Sequence, residues 1–164
     1  MSNVRRIESM ENLVQDAVTR GAKLLTGGKS RGQVGFFWEP TILTDVSEDS
    51  EIMLVEPFGP LVPIIAFDSL EEVILKANSL PYGLAAYVFT RSEKTTEMLV
   101  ESLESGGIAV NSAAPVPSDL PYGGFKDSGY GRESGLDAIY DYTRPKAVWL
   151  NTSPDPIADP FVMQ

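Results

Sequence analysis

A regular alternation of short apolar runs and amphipathic stretches in the middle of the chain is the feature that most constrains its fold. Three runs, at residues 62–67 (VPIIAF), 84–90 (LAAYVFT) and 107–111 (GIAVN), have the length and composition of buried strands. The stretches between them carry apolar residues at helical spacing, with Ser69 and Ser92 at the expected N-caps. This alternation predicts a βαβαβ unit, and therefore an α/β fold with a parallel sheet and right-handed crossovers.

The flanking segments continue this pattern. Residues 3–20 carry apolar side chains at spacings of three and four and predict a helix. Residues 23–26 predict a short strand, whereas Pro40 makes the extended stretch 36–46 an edge or interrupted strand. A last apolar strand is predicted at residues 146–151 (KAVWLN). The remainder of the tail is expected to be extended or disordered.

Composition and charge exclude several classes of function. The chain has 164 residues, 43% of them hydrophobic, which suits one soluble globular domain. With 13 basic and 23 acidic residues the net charge is −10, so neither nucleic acid nor an anionic membrane surface is an expected partner. The absence of cysteine and histidine excludes Cys/His metal sites, thiol nucleophiles and imidazole bases within the chain. Without a secretory signal or a membrane-length apolar run, we expect a cytoplasmic protein.

The ends of the three predicted strands lead to polar residues, where parallel α/β sheets bind their ligands. These residues are Asp68, Thr90 and Asn111. The longest segment follows Asn111 and reads NSAAPVPSDLPYGGFKDSGYGRESG, rich in glycine and proline. Long irregular loops in compact domains are often functional, but a surface loop without a ligand is an equally good interpretation at this point.

The segment Glu56-Pro57-Phe58-Gly59-Pro60 places a carboxylate and an aromatic ring between prolines, directly before a buried strand. Proline restricts the backbone, so both side chains are expected to be held rigidly. This suits a carboxylate that accepts hydrogen bonds from vicinal hydroxyls of a ligand, with the ring against a flat group. On spacing alone, a rigid turn without a ligand is the more frequent explanation.

Three other patterns do not qualify as sites. The run GGKS at residues 27–30 lacks the earlier glycine of a phosphate-binding loop, because position 23 is lysine. The glycines at 129, 131 and 135 are spaced one residue too long for a dinucleotide fingerprint. The acidic run at residues 45–51 has Ser50 where a calcium loop requires glycine. No metal site is predicted.

Four blocks in register carry a family resemblance. EPFGP, ANSLPYGLAAYVFT, SGGIAVN and PYGGFKDSGYGRESG resemble the C-terminal part of the catalytic domain of the aldehyde dehydrogenase superfamily, and the resemblance extends over residues 5–150. It implies a three-layer α/β/α fold with a mainly parallel sheet. It also implies a division into a catalytic-domain part, residues 1–145, and an oligomerisation strand with the C-terminal tail, residues 146–164.

The resemblance implies a role for particular residues. Members of the superfamily oxidise aldehydes to carboxylic acids with NAD or NADP, through a cysteine nucleophile and a glutamate base. Glu56 corresponds to the glutamate that contacts the nicotinamide ribose, and Phe58 to the ring beside the nicotinamide. The loop from Asn111 to Tyr122 corresponds to the lining of the substrate pocket, with Val116 and Tyr122 facing the aldehyde tail. Because Val116 cannot donate a hydrogen bond, an apolar or aromatic aldehyde is favoured over one that carries a carboxylate.

The departures from the family pattern limit what this chain can do alone. The dinucleotide-binding domain, the glutamate base and the nucleophilic cysteine have no counterpart in the sequence. We therefore expect a fragment or truncated homologue that is inactive alone and binds no cofactor by itself, while NAD or NADP serves the full-length parent. The alternative is a non-catalytic oligomerisation or binding module that pairs through exposed strand edges. In either case a homo-oligomer is expected, because apolar surface is left uncovered.

Overall fold

The computed structural model describes residues 1–32, 34–114, 116–155 and 161. Helices and strands alternate along most of this length, and parallel strand pairs are present, which confirms the predicted α/β class. In chain order the elements are α1 (Val4–Thr19), β1 (Lys23–Thr26), β2 (Thr41–Thr44), α2 (Glu51–Leu54), β3 (Leu61–Ile64), α3 (Leu70–Asn78), β4 (Tyr82–Gly83), β5 (Ala85–Val88), α4 (Glu93–Ser102), β6 (Gly107–Val110), β7 (Phe125–Lys126) and α5 (Ala138–Tyr142).

Helix α1 forms where the apolar periodicity predicts it. The side chain of Asn3 caps the N-terminus by accepting a hydrogen bond from the Arg6 N–H at 3.2 Å. The helix ends before Gly21, whose φ of +105° is a left-handed conformation that glycine adopts without steric cost. The inward face is buried and consists of Met10, Leu13, Val14 and Ala17. This face therefore supplies one wall of the main core.

The main core lies under a three-stranded sheet in the order β1-β2-β3. Strand β1 is antiparallel to β2, and β2 is parallel to β3. Leu43 of β2 is completely buried, and it packs in one cluster with α1 and with Trp38, Val46, Ile52 and Leu61. Of the two outcomes predicted from Pro40, the interrupted strand is present, because Trp38 forms only an isolated bridge and the strand proper is Thr41–Thr44, whereas the edge position is wrong. The strand begins one residue after Pro40, so the missing N–H lies outside the ladder and β2 can occupy the centre.

Helix α3 has the predicted N-terminal cap and is tied to the preceding segment by charge. Ser69 Oγ accepts from the Glu72 N–H at 3.1 Å, and the Glu72 carboxylate accepts from the Asp68 N–H at 2.8 Å. Lys76 forms ion pairs with Glu72 at 2.6 Å and with Glu48 at 2.9 Å. These two carboxylates raise the pKa of Lys76 above its ordinary value, and Lys76 in turn lowers the pKa of Glu72.

Among the described residues two parallel strand–helix–strand units are present, β2-α2-β3 and β5-α4-β6, and they lie in separate sheets rather than in the one predicted βαβαβ unit. Strands β5 and β6 are parallel, with Ala85 opposite Gly107, and α4 connects them. Among the described residues β3 pairs only with β2, so the expected ladder between residues 62–67 and 84–90 does not form. Local apolar patterns specify that a segment is a strand, but they carry no information about which strand lies beside it.

The predicted strand at residues 146–151 has no ladder partner among the described residues. Val148, Trp149 and Leu150 are 80%, 97% and 78% exposed. A strand requires a neighbour, so pairing of this segment between subunits stays a prediction. Of the tail predicted to be extended, residues 156–160 and 162–164 lie outside the described residues. In the part of the chain that is described, no helix combines the length and the apolar character needed to cross a bilayer.

Candidate functional site

The turn Glu56–Pro60 joins α2 to β3, and two backbone hydrogen bonds hold its C-terminal end. The Leu61 N–H donates to the Gly59 carbonyl, and the Thr41 N–H donates to the Pro60 carbonyl, each at 2.8 Å. Phe58 has a φ of +45°, and its side chain is 69% exposed. The turn projects an aromatic ring away from the core, and the rigid placement of Glu56 and Phe58 stays a prediction.

Glu56 lies at the edge of a groove of about 480 Å³, here called the Glu56 groove. The hydrogen bonds and ion pairs among the described residues do not engage its exposed carboxylate. Ser128 lies in the same groove, where its Oγ accepts from the Gly83 N–H at 3.0 Å. The carboxylate is therefore available to accept hydrogen bonds from a ligand. The lining includes Glu56, Ala77, Tyr82, Leu103, Ser105 and Ser128.

Val116 and Tyr122 lie together in a second groove of about 470 Å³, here called the Val116 groove. Its described lining contains no charged side chain and includes Ala85, Tyr87, Ile108, Ser112, Val116 and Tyr122. Tyr122 is half-buried, and its backbone exchanges two hydrogen bonds of 2.7 Å with Glu133. This bridge fixes one side of the groove, whereas Val116, 46% exposed, lies nearer to solvent.

Asn111 takes a different part from the one expected of a pocket-lining residue. Its side-chain amide forms two hydrogen bonds with the backbone of Thr90, at 2.8 and 2.9 Å. It lines neither the Glu56 groove nor the Val116 groove. In this arrangement the amide holds the start of the long loop in place, and its hydrogen-bonding groups are directed to protein backbone.

The two grooves flank β5, and Ala85 and Ala86 line both. The structure thus brings Val116 and Tyr122 together, places Glu56 in the neighbouring groove and leaves Phe58 outside both. Tyr87 and Ser128 are additional lining residues that the sequence reasoning did not select. The alternation of residues 85–88 (AAYV) is the signal for Tyr87, because Ala85 and Tyr87 share one face of a strand.

The grooves differ in the chemistry they allow. The Glu56 groove offers a carboxylate, hydroxyl groups and aromatic surface, a combination that suits a polyhydroxylated ligand with a flat ring. Among its described lining residues, the Val116 groove offers apolar surface and the hydroxyl groups of Tyr87, Ser112 and Tyr122 as polar side-chain groups. Within the described residues there is no cluster of three or more acidic side chains able to hold a metal ion.

Comparisons with known proteins match nearly the whole chain to one enzyme family. The model of the aldehyde dehydrogenase family matches residues 1–148. (Z)-2-((N-methylformamido)methylene)-5-hydroxybutyrolactone dehydrogenase of Acinetobacter baylyi is 40% identical over the whole chain, which covers 34% of that protein. Succinate-semialdehyde dehydrogenase [NADP(+)] of Saccharomyces cerevisiae is 39% identical over 94% of the chain and 31% of the yeast protein.

Solved structures show the same relationship. The NAD+ complex of aldehyde dehydrogenase from Bacillus cereus superposes with a TM-score of 0.87 and 38% identity, over 92% of this chain and 31% of that one. The chain thus spans about a third of the length of the relatives it matches. It corresponds to a segment of them, with parallel strand pairs in a matching α/β arrangement. The chain belongs to the aldehyde dehydrogenase family.

Proposed function

We propose that these 164 residues supply one side of the active site of an NAD(P)-dependent aldehyde dehydrogenase. The observation that carries this proposal is the Glu56–Pro60 turn. In a chain that belongs to this family, the turn presents an unengaged carboxylate and an exposed ring from a proline-flanked backbone. The Val116 groove, on the other side of β5, is the proposed seat of the aldehyde.

The residues of the turn fit a nicotinamide cofactor in their chemistry. The Glu56 carboxylate can accept hydrogen bonds from two vicinal ribose hydroxyls, and the Phe58 ring can pack against a flat heterocycle. The cofactor, when bound, accepts a hydride from the substrate. The residues of this chain bind and orient the cofactor and the aldehyde. The apolar lining around Val116 and Tyr122 excludes water from the aldehyde tail.

The nucleophile must come from outside these 164 residues, because the chain contains no cysteine. Glu56 takes the part of a cofactor contact rather than of a general base. The proposal therefore includes the expectation that the chain alone neither turns over aldehydes nor binds NAD or NADP. Calorimetric titration of the purified chain with each dinucleotide tests this expectation. Binding of either one would assign a complete cofactor site to this segment.

An uncharged aldehyde fits the Val116 groove better than one with a carboxylate. The described lining of the groove contains no lysine or arginine, so a buried carboxylate would lack a counter-charge there. Ser112 and Tyr122 are lining residues of the loop whose hydroxyl groups can donate a hydrogen bond. An apolar or aromatic aldehyde is accordingly the proposed substrate class, although the yeast relative is named for succinate semialdehyde.

A segment exchange tests the cofactor and substrate roles together. This chain would replace the corresponding segment of the Bacillus cereus enzyme, and formation of reduced cofactor would be followed. We expect Glu56→Gln to raise the KM for the cofactor and to leave the KM for benzaldehyde unchanged. Glu51→Gln, at an exposed position five residues earlier, is the matched control. Equal cofactor KM values in Glu56→Gln and the unsubstituted chimera would contradict the role of Glu56.

Val116→Ser tests the substrate class in the same chimera. A serine at this position adds a hydrogen-bond donor to the groove, so the kcat/KM for succinic semialdehyde should rise relative to that for benzaldehyde. The proposal fails if the unsubstituted chimera already prefers succinic semialdehyde over an uncharged aldehyde of similar size.

The second candidate function is assembly through exposed strands, and the observation that favours it is the uncovered segment 146–151. Val148, Trp149 and Leu150 are largely exposed, and every residue of the edge strand β1 is exposed as well. Exposed apolar strands recruit partners. Light scattering at micromolar concentration should therefore detect a dimer or larger assembly. A chain that stays monomeric and does not bind a full-length relative would contradict this function.

A further inference from the structure

The ammonium group of Lys126 makes three polar contacts at the ends of two helices. It donates to the carbonyl oxygens of Asn78 at 2.8 Å and Leu80 at 3.1 Å, and it pairs with the Glu104 carboxylate at 2.6 Å. The Lys126 side chain is only 26% exposed. Its three N–H donors therefore have three partners, all in segments distant from it in sequence.

These partners explain why a cation is required at this point. Asn78 is the last residue of α3, and Glu104 follows the C-terminus of α4. Carbonyl groups at helix C-termini carry partial negative charge, and a glutamate beside them is unfavourable without a counter-charge. The Asn78 side chain joins the two helix ends by donating to the Ser102 carbonyl at 2.7 Å and accepting from the Glu104 N–H at 2.9 Å.

Lys126 also belongs to the long loop that carries the Val116 groove. Its backbone pairs with Tyr82 in the β4–β7 ladder, and the next N–H, that of Asp127, donates to the Pro81 carbonyl at 2.8 Å. Near this point the loop passes so close to the start of β6 that a Cβ on Gly106 would collide with the Gly123 carbonyl oxygen. The C-terminal end of the loop is thus anchored by backbone contacts that leave no space for a side chain at Gly106.

We propose that Lys126 is a positioning residue that fixes residues 112–114 and 116–124, the pocket segment, relative to the helices. The segment has one anchor at Asn111, through Thr90, and another at Lys126, and between them its backbone is bonded at Ser118 to Gly135 and at Tyr122 to Glu133. Val116 and Tyr122 lie between these anchors, so the width of the Val116 groove depends on both. The inference rests on the proposed function in one respect: the groove matters to catalysis only if it holds the aldehyde.

Hydrogen exchange of the 164-residue chain tests the inference without aldehyde or cofactor. The amide to follow is that of Tyr122, which lies in the pocket segment and donates to the Glu133 carbonyl. Lys126→Met keeps the apolar stem but removes the charge, and exchange at Tyr122 should become roughly tenfold faster. The amide of Ala17 in α1 should be unchanged. Lys94→Met, at an exposed position on α4, is the matched control and should alter neither amide.

Two further variants separate positioning from general stability. Lys126→Arg keeps a cation that can donate to the same oxygen atoms, so it should restore most of the slow exchange at Tyr122. Glu104→Gln removes the ion pair alone and should give a smaller, local increase. If Lys126→Met unfolds the chain, Glu104→Gln decides: faster exchange at Tyr122 with Ala17 unchanged supports the proposal.

The positioning role is overturned if exchange at Tyr122 is unchanged in Lys126→Met. If Lys126→Met unfolds the chain, unchanged exchange at Tyr122 in Glu104→Gln overturns it instead. Equal acceleration at Tyr122 and Ala17 overturns it as well. Because no substrate is present, these results stand even if the chimera described above shows that the segment does not serve an aldehyde dehydrogenase.

Discussion

The side-chain amide of Asn111 pairs with the backbone of Thr90 as a neighbouring strand residue would. Nδ2 donates to the Thr90 carbonyl at 2.8 Å, and Oδ1 accepts from the Thr90 N–H at 2.9 Å. The Asn111 N–H donates to the Val88 carbonyl at 2.7 Å, while its φ of +54° turns the chain out of the ladder. The side chain thus extends the parallel β5–β6 pair by one step at the point where the long loop begins.

This pairing predicts that Asn111→Ala lowers the free energy of unfolding by about 2–3 kcal/mol, since two hydrogen bonds are lost and alanine is strained at positive φ. Asn111→Gly loses the same bonds without the strain, so it should be less destabilised by about 1 kcal/mol. Urea denaturation of the two variants measures both quantities. Wild-type stability in Asn111→Ala would show that the amide pairing contributes nothing.

Ser50 provides a prediction of the opposite sign. It is completely buried, and its Oγ has no hydrogen-bond partner among the described residues. A buried hydroxyl without a partner costs free energy, so Ser50→Ala should raise the free energy of unfolding by about 1 kcal/mol. Chemical denaturation midpoints at an unchanged slope measure this gain. A loss of stability in Ser50→Ala would reveal a partner for the hydroxyl, such as an internal water molecule.

Thr41 is the contrasting buried hydroxyl, because its Oγ1 is fully engaged. It accepts from the Gly28 N–H at 2.8 Å and from Trp38 Nε1 at 3.0 Å, and it donates to the Glu39 carbonyl at 2.7 Å. Thr41→Val keeps the shape but leaves these groups unpaired, so the expected loss is about 2–4 kcal/mol.

The control for Thr41→Val is Thr41→Ser, which keeps the hydroxyl and loses only a methyl group. It should cost about 1 kcal/mol. Thermal or urea unfolding of the two variants compares these losses. A smaller loss in Thr41→Val than in Thr41→Ser would mean that the packing of the methyl group outweighs the three hydrogen bonds.

Asp16 links α1 to α2 and predicts a pH dependence of stability. Its carboxylate pairs with Arg20 Nε at 2.8 Å and accepts from the Glu51 N–H at 2.8 Å. These contacts, that with Arg20 first, lower the pKa of Asp16 below its ordinary value of 3.8. The stability that the charged form contributes is therefore present above pH 3.8 and is lost as the pH falls through the lowered pKa of the folded state.

The corresponding measurement compares Asp16→Asn with the unsubstituted chain between pH 7 and pH 2. Asp16→Asn should be the less stable protein at pH 7, and the difference should shrink in the most acidic part of this range. Glu8→Gln, at an exposed position on the same helix, serves as the control and should show no such convergence. A stability difference that stays constant with pH would exclude the proposed linkage.

Those parts of the fold that depend on neighbouring residues could be predicted from the sequence. Ser69 and Ser92 cap α3 and α4 as predicted, because each hydroxyl reaches the N–H three residues later in the same turn. The periodicity of residues 3–20 likewise predicted α1, since its apolar face repeats with the period of the helix. The turn at Glu56 followed from proline chemistry. The resemblance of four blocks in register supplied the family.

The parts that were missed depend on residues far apart in the chain. The sequence around Pro40 did not indicate that β2 lies at the centre of its sheet. Nor did the sequence show which strand lies beside the one predicted at residues 62–67. The candidate site was predicted as a set of residues, but its division into two grooves around β5 was not. The pairing of the Asn111 amide with the backbone of Thr90 likewise could not be predicted, while the role of Asn111 in the substrate pocket stays a prediction.

The sequence by itself determined the positions of β3, β5 and β6, the helix caps, the proline-flanked carboxylate turn and the absence of a thiol nucleophile, because each depends on residue chemistry or on contacts within a few positions. Only the tertiary structure decided that Lys126 joins two helix ends that lie 22 to 48 positions before it in the sequence and that Val116 and Tyr122 share a groove. Such contacts form when folding brings distant segments together, and their free energy depends on distances and burial that no local pattern encodes.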